Sequence, residues 1–338
     1  MSAAKESLQT PTRIGVLGIG SYLPSHVITN DVIAGPAGVT EEWIVEKTGI
    51  ETRRRVKPDE ATSDLALYAA RAALEDAGVQ AADLSLVIVG TATPDVIGPP
   101  VASAVALALE CPQTTGTFDI HAACSGFLTA ITMAEKQLRV TGGYALVIGA
   151  DSYSRFLNPA DRRTAALWGD GAGAVVLGAV EGENGRVLAT KLMNAAVEFE
   201  VGGVMGGGSR QPASYETVDE GLHYVSMQGR RIRQIFEDNV PPMAAAFLEE
   251  AGVTLDDIDH VVPHQGNLRM VESVETLLGL THTRLHATAG EYGNTGSAST
   301  PITLDQAVRN GSVKSGDTVL MFAIGTGMTF AFVLLRWK

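Results

Sequence analysis

Residues 73–89, ALEDAGVQAADLSLVIV, return 174 residues later as FLEEAGVTLDDIDHVVP, residues 247–263. At that one offset Leu74 falls on Leu248, Gly78 on Gly252, Asp83 on Asp257 and Val87 on Val261. The same offset carries TGGYALVIG (141–149) onto SGDTVLMFA (315–323), with Gly142 on Gly316 and Leu146 on Leu320. A period this long marks a duplication rather than a solenoid. Each copy reads as a helix, a short turn ending in Gly-Val, then a buried strand. Strands such as LSLVIVG and YALVIGA are apolar throughout, the mark of a sheet covered on both faces, and they alternate with amphipathic helices. The expected fold is α/β: two duplicated halves packed as a pseudo-twofold pair and layered helix, sheet, helix, sheet, helix.

The offset places Cys124, in DIHAACSGFLTAI (119–131), on Ala298, in GNTGSASTPITLDQAV. Both are small-residue starts of helices, so two helix N-termini are expected to meet near the centre. After Cys124 the apolar residues Phe127, Leu128, Ile131 and Leu138 have helical spacing. A thiol where a strand turns into a helix feels the positive end of the helix dipole, which lowers its pKa toward the thiolate. A buried cysteine acting as a small hydrophobe fits that stretch equally well. Two further segments end at the same junction: HVVPHQGNLRM supplies His264 just after a strand, and EYGNTGSAS supplies Asn294 before a helix. Singly, such a histidine is structural and such an asparagine is a helix cap. Together with Cys124 they are the residue types that acyl transfer through a thioester requires.

The whole chain sets the limits. Its 338 residues, 45% hydrophobic and 19% charged, can bury a large core. A net charge of -13 repels phosphate backbones, so no nucleic acid partner is expected. The basic run Arg53-Arg54-Arg55 with Lys57 reads as a solvated loop. No apolar run reaches the ~18 residues of a membrane span, and the start MSAAKESLQTPT lacks the apolar core of a signal peptide. No membrane association and a cytoplasmic location are therefore expected. Cys111 and Cys124 make no disulfide framework, and the seven histidines show no metal pattern. GDGAGA (169–174) and GGVMGGGS (202–209) lack the phosphate-loop order, and GDGAGA, running straight into AVVLGAV, reads as close backbone packing.

At this point the chain resembles the β-ketoacyl-acyl-carrier-protein synthase III family of thiolase-like condensing enzymes. The likeness runs from about Arg13 to the C-terminus and rests on GIGSYLP, EEWIVEKTGI, AACSGF, GDGAGA, HQGNLRM, YGNTGSAS and GTGMTFAFVLLR, in the family's order and spacing. It implies a five-layered thiolase-like fold with a polar tail at 1–12, a nucleophile-bearing half at 13–178 and a second half at 179–338 carrying the histidine and asparagine. It also implies a two-stage reaction: Cys124 takes an acyl group from a starter thioester, then His264 and Asn294 hold a malonyl-type thioester while it loses carbon dioxide. The second oxyanion donor, beside the Cys124 N–H, falls on Thr326. No cofactor is held permanently; coenzyme A or a carrier-protein phosphopantetheine brings the acyl groups. By the same resemblance Trp43 and Arg162 stack on the adenine of coenzyme A, Lys47 lies near its phosphates, Asn267 touches the pantetheine, Arg269 docks a carrier protein, and the chain forms a homodimer.

Departures from the family pattern bear on the substrate. The terminal loop, usually Gly-Gly-Gly, reads Gly325-Thr326-Gly327. Gly98 stands where many relatives close the acyl pocket with phenylalanine, and Ile324 replaces another phenylalanine, so a roomier pocket is expected. Glu272, Glu275, Thr276 and Leu277 stand where basic residues often follow the docking arginine. These changes suggest a specialised, secondary-metabolic enzyme. A degradative thiolase is excluded because no cysteine follows Cys124. The competing readings are a condensing-fold acyltransferase that hands the acyl group to a hydroxyl or amine, and a catalytically silent partner subunit.

Overall fold

The computed structural model describes residues 13–195 and 199–338, and the expected tail at 1–12 lies outside them. Two five-stranded sheets carry the fold. The first contains β1 (Ile14–Tyr22), β2 (Leu84–Gly90), β3 (Gly116–Ile120), β4 (Tyr144–Ser152) and β5 (Asp170–Ala179), in the spatial order β1-β5-β4-β2-β3. The second contains β6 (Val187–Asn194), β7 (His260–Pro263), β8 (Arg284–Leu285), β9 (Thr318–Gly325) and β10 (Thr329–Arg336), in the order β6-β10-β9-β7-β8. The orders match position by position, and so do the directions. β2 runs parallel to β3 and β4, while β5 is antiparallel to β4 and β1. β7 runs parallel to β8 and β9, while β10 is antiparallel to β9 and β6.

The principal helices are α1 (Thr62–Ala77), α2 (Val101–Ala108), α3 (Gly126–Thr141), α4 (Gly229–Ala251), α5 (Leu268–Leu278) and α6 (Ser299–Arg309). The repeated Gly-Val turns end α1 and α4 identically. Gly78 (φ 65) and Gly252 (φ 70) take the left-handed conformation, and their N–H groups return to the last-turn carbonyls, a geometry glycine adopts without strain. Phe127, Leu128 and Ile131 of α3 and Leu304 and Ala307 of α6 share one core with Ile88 and Val147 of the first sheet and Val262 and Met321 of the second. Leu65 and Ala69 of α1 and Val101 and Val105 of α2 cover the outer face of the first sheet. Ile235, Phe236 and Phe247 of α4 and Val274 of α5 cover that of the second. The result is the expected five-layered thiolase-like arrangement, with α3 and α6 as the middle layer.

Small residues let that middle layer close. A Cβ on Gly90 would lie 2.4 Å from the carbonyl carbon of Gly126, and one on Gly126 would lie 2.9 Å from Ser297 Oγ. The two helix starts do meet. GDGAGA also packs as expected, since a Cβ on Gly173 would lie 2.6 Å from Pro301 Cβ. The basic run is a correction. Arg53 lies in the strand Thr52–Arg55 and is fully buried, because its guanidinium donates to Asn30 Oδ1 at 2.8 Å and to the Ala166 carbonyl at 2.8 Å. Fork-shaped donation of this kind lets arginine be buried where a loop was expected. Among the described residues no helix is long and apolar enough to cross a membrane.

Candidate active site

Cys124 follows β3, His264 follows β7 and Asn294 lies on the loop before α6. All three line one cavity of about 90 Å³, together with Ile324 and Thr326. The cysteine sits in a tight 3-10 turn, Ala123–Ser125, that leads into α3. Ala123 has φ 46, a sparsely populated conformation for a residue with a side chain. The turn is held against the β9–β10 hairpin: Ser125 Oγ donates to the Ala122 carbonyl at 2.8 Å and lies 2.8 Å from Thr329 Oγ1. A Cβ on Gly325 would come within 2.3 Å of the Ala122 carbonyl oxygen. Glycine at 325 therefore brings the terminal loop, and Thr326 with it, up to the turn that carries Cys124.

The other two residues are oriented by their neighbours. The Gly296 N–H donates to Asn294 Oδ1 at 2.9 Å, so the amide's NH2 end is the one left for a substrate. Its backbone is stitched to the 167–169 segment, through Asn294 N–H to the Leu167 carbonyl at 2.8 Å and Gly169 N–H to the Asn294 carbonyl at 3.0 Å. His264 Nδ1 lies 2.7 Å from Ser299 Oγ, and that oxygen also accepts the Gln265 N–H at 3.3 Å. With one lone pair taken by Gln265, the Ser299 hydroxyl can donate to Nδ1 and leave Nε2 as the protonated nitrogen. Burial holds the His264 pKa down at about 4, so the ring is neutral near pH 7. A neutral ring with Nε2–H and an amide NH2 are two hydrogen-bond donors in one cavity.

The thiol corrects the expectation of a lowered pKa. Burial pushes Cys124 well above the ordinary thiol range, and the Asp151 carboxylate adds to the rise. The turn's N–H acts in the expected direction but is outweighed. Asp151 is buried at the end of β4, accepting from Ala92 N–H (2.8 Å), Thr91 Oγ1 (3.1 Å), Thr93 Oγ1 (2.9 Å) and Ser297 N–H (2.7 Å). It ties the first sheet to the start of the second half's central helix. Burial raises its pKa to about 6, against the lowering effect of those donors.

Asp151, Tyr153, Trp168 and Ser299 were not singled out from sequence. Tyr153 and Trp168 line the cavity and stack with ring centroids 3.8 Å apart. Asp151 and Tyr153 had one available signal: they close the apolar strand YALVIGA at the same end of the sheet as Cys124, where α/β sites gather.

The outer residues fall into two groups. The Arg162 guanidinium lies 5.8 Å from the Trp43 ring centroid, and Lys47 pairs with Glu46 at 2.6 Å on an exposed helix. Asn267 lines the cavity and caps α5 by accepting the Met270 N–H at 3.0 Å. Arg269 is largely engaged: it pairs with Glu272 at 3.0 Å and reaches the Val45 and Glu46 carbonyls at 3.3 and 3.4 Å, closing the C-terminus of the helix Glu41–Thr48. Gly98 is exposed in a loop with Ile97, away from this chain's cavity.

Residues 118–196 match the family model described as 3-oxoacyl-[acyl-carrier-protein (ACP)] synthase III, and residues 248–337 match its C-terminal counterpart. The chain is 44% identical to the acetoacetyl CoA synthase NphT7 of Streptomyces sp. (strain CL190), over 97% of this chain and 100% of the relative. It is 40% identical to the beta-ketoacyl-[acyl-carrier-protein] synthase III of Caldanaerobacter subterraneus subsp. tengcongensis, over 96% and 98%. Among solved structures it superimposes on the 3-oxoacyl-(acyl carrier protein) synthase III of Pseudomonas aeruginosa PAO1 with a TM-score of 0.87 at 33% identity, covering 96% and 98% of the two chains. The priming beta-ketosynthase of the R1128 polyketide pathway gives 0.88 at 33% identity, covering 98% and 99%.

Proposed function

The chain belongs to the 3-oxoacyl-[acyl-carrier-protein] synthase III family of decarboxylating ketosynthases, and on that premise we propose that Cys124, His264 and Asn294 are its catalytic residues. The observation that carries the assignment is the fixed orientation of the two donors, His264 by Ser299 and Asn294 by Gly296, in the cavity that holds the thiol. In the first stage the Cys124 sulfur bonds the starter's acyl carbon, the acyl–sulfur bond of the carrier breaks, and the thiol proton ends on the released carrier thiol. Burial disfavours a standing thiolate but not the neutral thioester that replaces it, so the resting protein keeps its nucleophile masked.

In the second stage the carbonyl oxygen of a malonyl-type thioester accepts from His264 Nε2 and Asn294 Nδ2. The bond to the carboxylate breaks, carbon dioxide leaves and its electron pair becomes the enolate, which the two donors stabilise in a water-poor site. The enolate carbon attacks acyl-Cys124, and the tetrahedral oxyanion takes N–H donors from Cys124 and Thr326. Collapse expels the Cys124 sulfur as a thiolate, which takes one proton from solvent to restore the thiol, and leaves a 3-oxoacyl thioester.

Delivery by coenzyme A is favoured for the starter. Trp43 and Arg162 are already paired across a gap of 5.8 Å, and an adenine between them needs about 7 Å, two van der Waals layers, a small outward shift of an exposed guanidinium. Arg269, engaged by Glu272 and two carbonyls, has less to offer an acidic carrier protein. A homodimer is supported by the free edge of β3, where Phe118 is partly exposed, and by the exposed Val96-Ile97-Gly98 loop, because open edges and apolar surface of this kind are normally covered. Light scattering that finds only a 35.4 kDa monomer under active conditions would remove the dimer.

The catalytic assignment is tested by separating the stages. Asn294→Ala is expected to load acyl groups onto Cys124, read by intact-protein mass spectrometry, and to lose about a hundred- to a thousandfold in carbon dioxide release from malonyl-coenzyme A. Wild-type protein that loads an acyl group, consumes no malonyl-type thioester and passes the acyl to a hydroxyl or amine would overturn condensation in favour of simple acyl transfer.

A further inference from the structure

The same cavity is lined by Tyr153 and Trp168, whose polar groups the condensation leaves unused. Tyr153 and Trp168, 6% and 3% exposed, form one buried cluster with Cys124 and Val225. The Trp168 Nε1–H is buried with no partner among the described residues. The Tyr153 hydroxyl makes no hydrogen bond to a described residue either, although it is close enough to Cys124 and Asp151 for both to raise its pKa beyond the rise that burial causes. Native proteins pair nearly all buried donors such as the Trp168 N–H. Phenylalanine would fill the same space without an unsatisfied group.

Both residues pack against the segment that carries Asn294. Trp168 forms a parallel bridge with Asn294. Tyr153 passes the loop that follows Asn294 where that loop has a glycine: a Cβ on Gly296 (φ 59) would lie 2.8 Å from Tyr153 Cε2 and 2.2 Å from Asp151 Oδ2. An indole N–H can only donate and a phenol donates readily, so the group that completes them must be an acceptor. The cavity of about 90 Å³ is smaller than the ~150 Å³ that takes a benzene ring, which favours a short acyl group.

We propose that Tyr153 and Trp168 form a polar subsite for the starter, selecting a short acyl group that carries an accepting oxygen (ketone, hydroxyl or ether) beyond its thioester carbonyl. This rests on the reading of Cys124 as the acylated residue. The subsite makes and breaks no bond; it binds and orients the chain whose carbonyl Cys124 attacks. A chain without the oxygen leaves the donors unpaired, which is how a polar site rejects an apolar analogue.

Methoxyacetyl-coenzyme A and butanoyl-coenzyme A differ by one ether oxygen in place of a methylene. The rates at which each acylates Cys124, followed by quenched-flow intact-mass analysis, give a ratio for wild type, Tyr153→Phe and Trp168→Phe. Comparing ratios between proteins cancels the intrinsic reactivity of the two thioesters. The ratio is expected to fall about tenfold in Tyr153→Phe and by a similar factor in Trp168→Phe; if Trp168→Phe does not fold, Tyr153→Phe decides. Equal ratios within twofold in wild type and Tyr153→Phe overturn the subsite and leave the aromatic pair as a length limit. Wild type that is acylated by neither thioester nor by acetyl-coenzyme A overturns both the subsite and the role of Cys124.

Discussion

The two halves repeat one frame and fill it differently. At the shared offset Gly90 corresponds to His264 and Cys124 to Ala298, so each half carries a reactive side chain where the other carries a small inert one. The reason is visible at Gly90. The start of α3 presses so closely on the end of β2 that a Cβ there would meet backbone at 2.4 Å. On the other side, the end of β7 has room for an imidazole and Ser299 to hold it. The repeat therefore places two helix starts facing each other, and the proposed reaction breaks the symmetry: a nucleophile from one half and two fixed donors from the other.

That contrast can be broken most severely at the nucleophile. Cys124→Ala makes the first half match Ala298, and acylation by a thioester is expected to fall at least about 10⁴-fold, with the added acyl mass lost. Cys111→Ala should keep it, because Cys111 lies away from the cavity with its own pKa raised by burial. Retention of the acyl mass in Cys124→Ala would put the chemistry elsewhere. Next in size, Gly90→Ala puts a methyl group where the second half has its histidine. It should destabilise the fold by about 1–3 kcal/mol through overpacking, seen as a lower Tm, and an unchanged Tm would show that the halves are not packed so tightly there.

Ser299→Ala sharpens the other side. Without the hydroxyl, Nδ1 is free to carry the ring proton and Nε2–H is no longer enforced. Malonyl decarboxylation should fall about tenfold, the worth of roughly one hydrogen bond, while loading of Cys124 stays intact and Ser299→Thr restores part of the loss. Equal losses in both half-reactions would mean that Ser299 merely supports the fold.

The smallest effect is on stability against pH. Folded His264 and His286, both held near pKa 4 by burial, refuse protons that the unfolded chain accepts near its ordinary value of about 6.5. Stability is then lost as pH falls from about 6.5 toward 4. Asp151 works the other way: folded, it takes a proton below about 6, before the unfolded chain does, and so adds stability over the lower part of that range. Asp151→Asn should make the acid fall in Tm steeper, measured by scanning calorimetry between pH 7 and 4; a shallower fall would reverse the assigned direction.

Much of this was legible without coordinates. The repeat fixes the layering because its apolar pattern recurs whole, and the capping glycines Gly78 and Gly252 mark where both outer helices must stop. That Cys124, His264 and Asn294 would come together in one cavity could be expected, because each sits in a small-residue or strand-end context with a recognisable neighbourhood. The burial of Arg53 could not, since its partners Asn30 and Ala166 lie 23 and 113 residues away.

By itself, then, the sequence determined the local periodicities: which segments are helices and strands, that they occur twice, and which residue types stand at the ends of strands. Only the tertiary structure decided how those ends behave. The high pKa of Cys124 comes from burial and Asp151, the protonation site of His264 from Ser299, and the free end of Asn294 from Gly296. The wall beside the thiol comes from Tyr153 and Trp168. Electrostatics and hydrogen bonding depend on distance through space, and these distances are set by two sheets closing on one pair of helices.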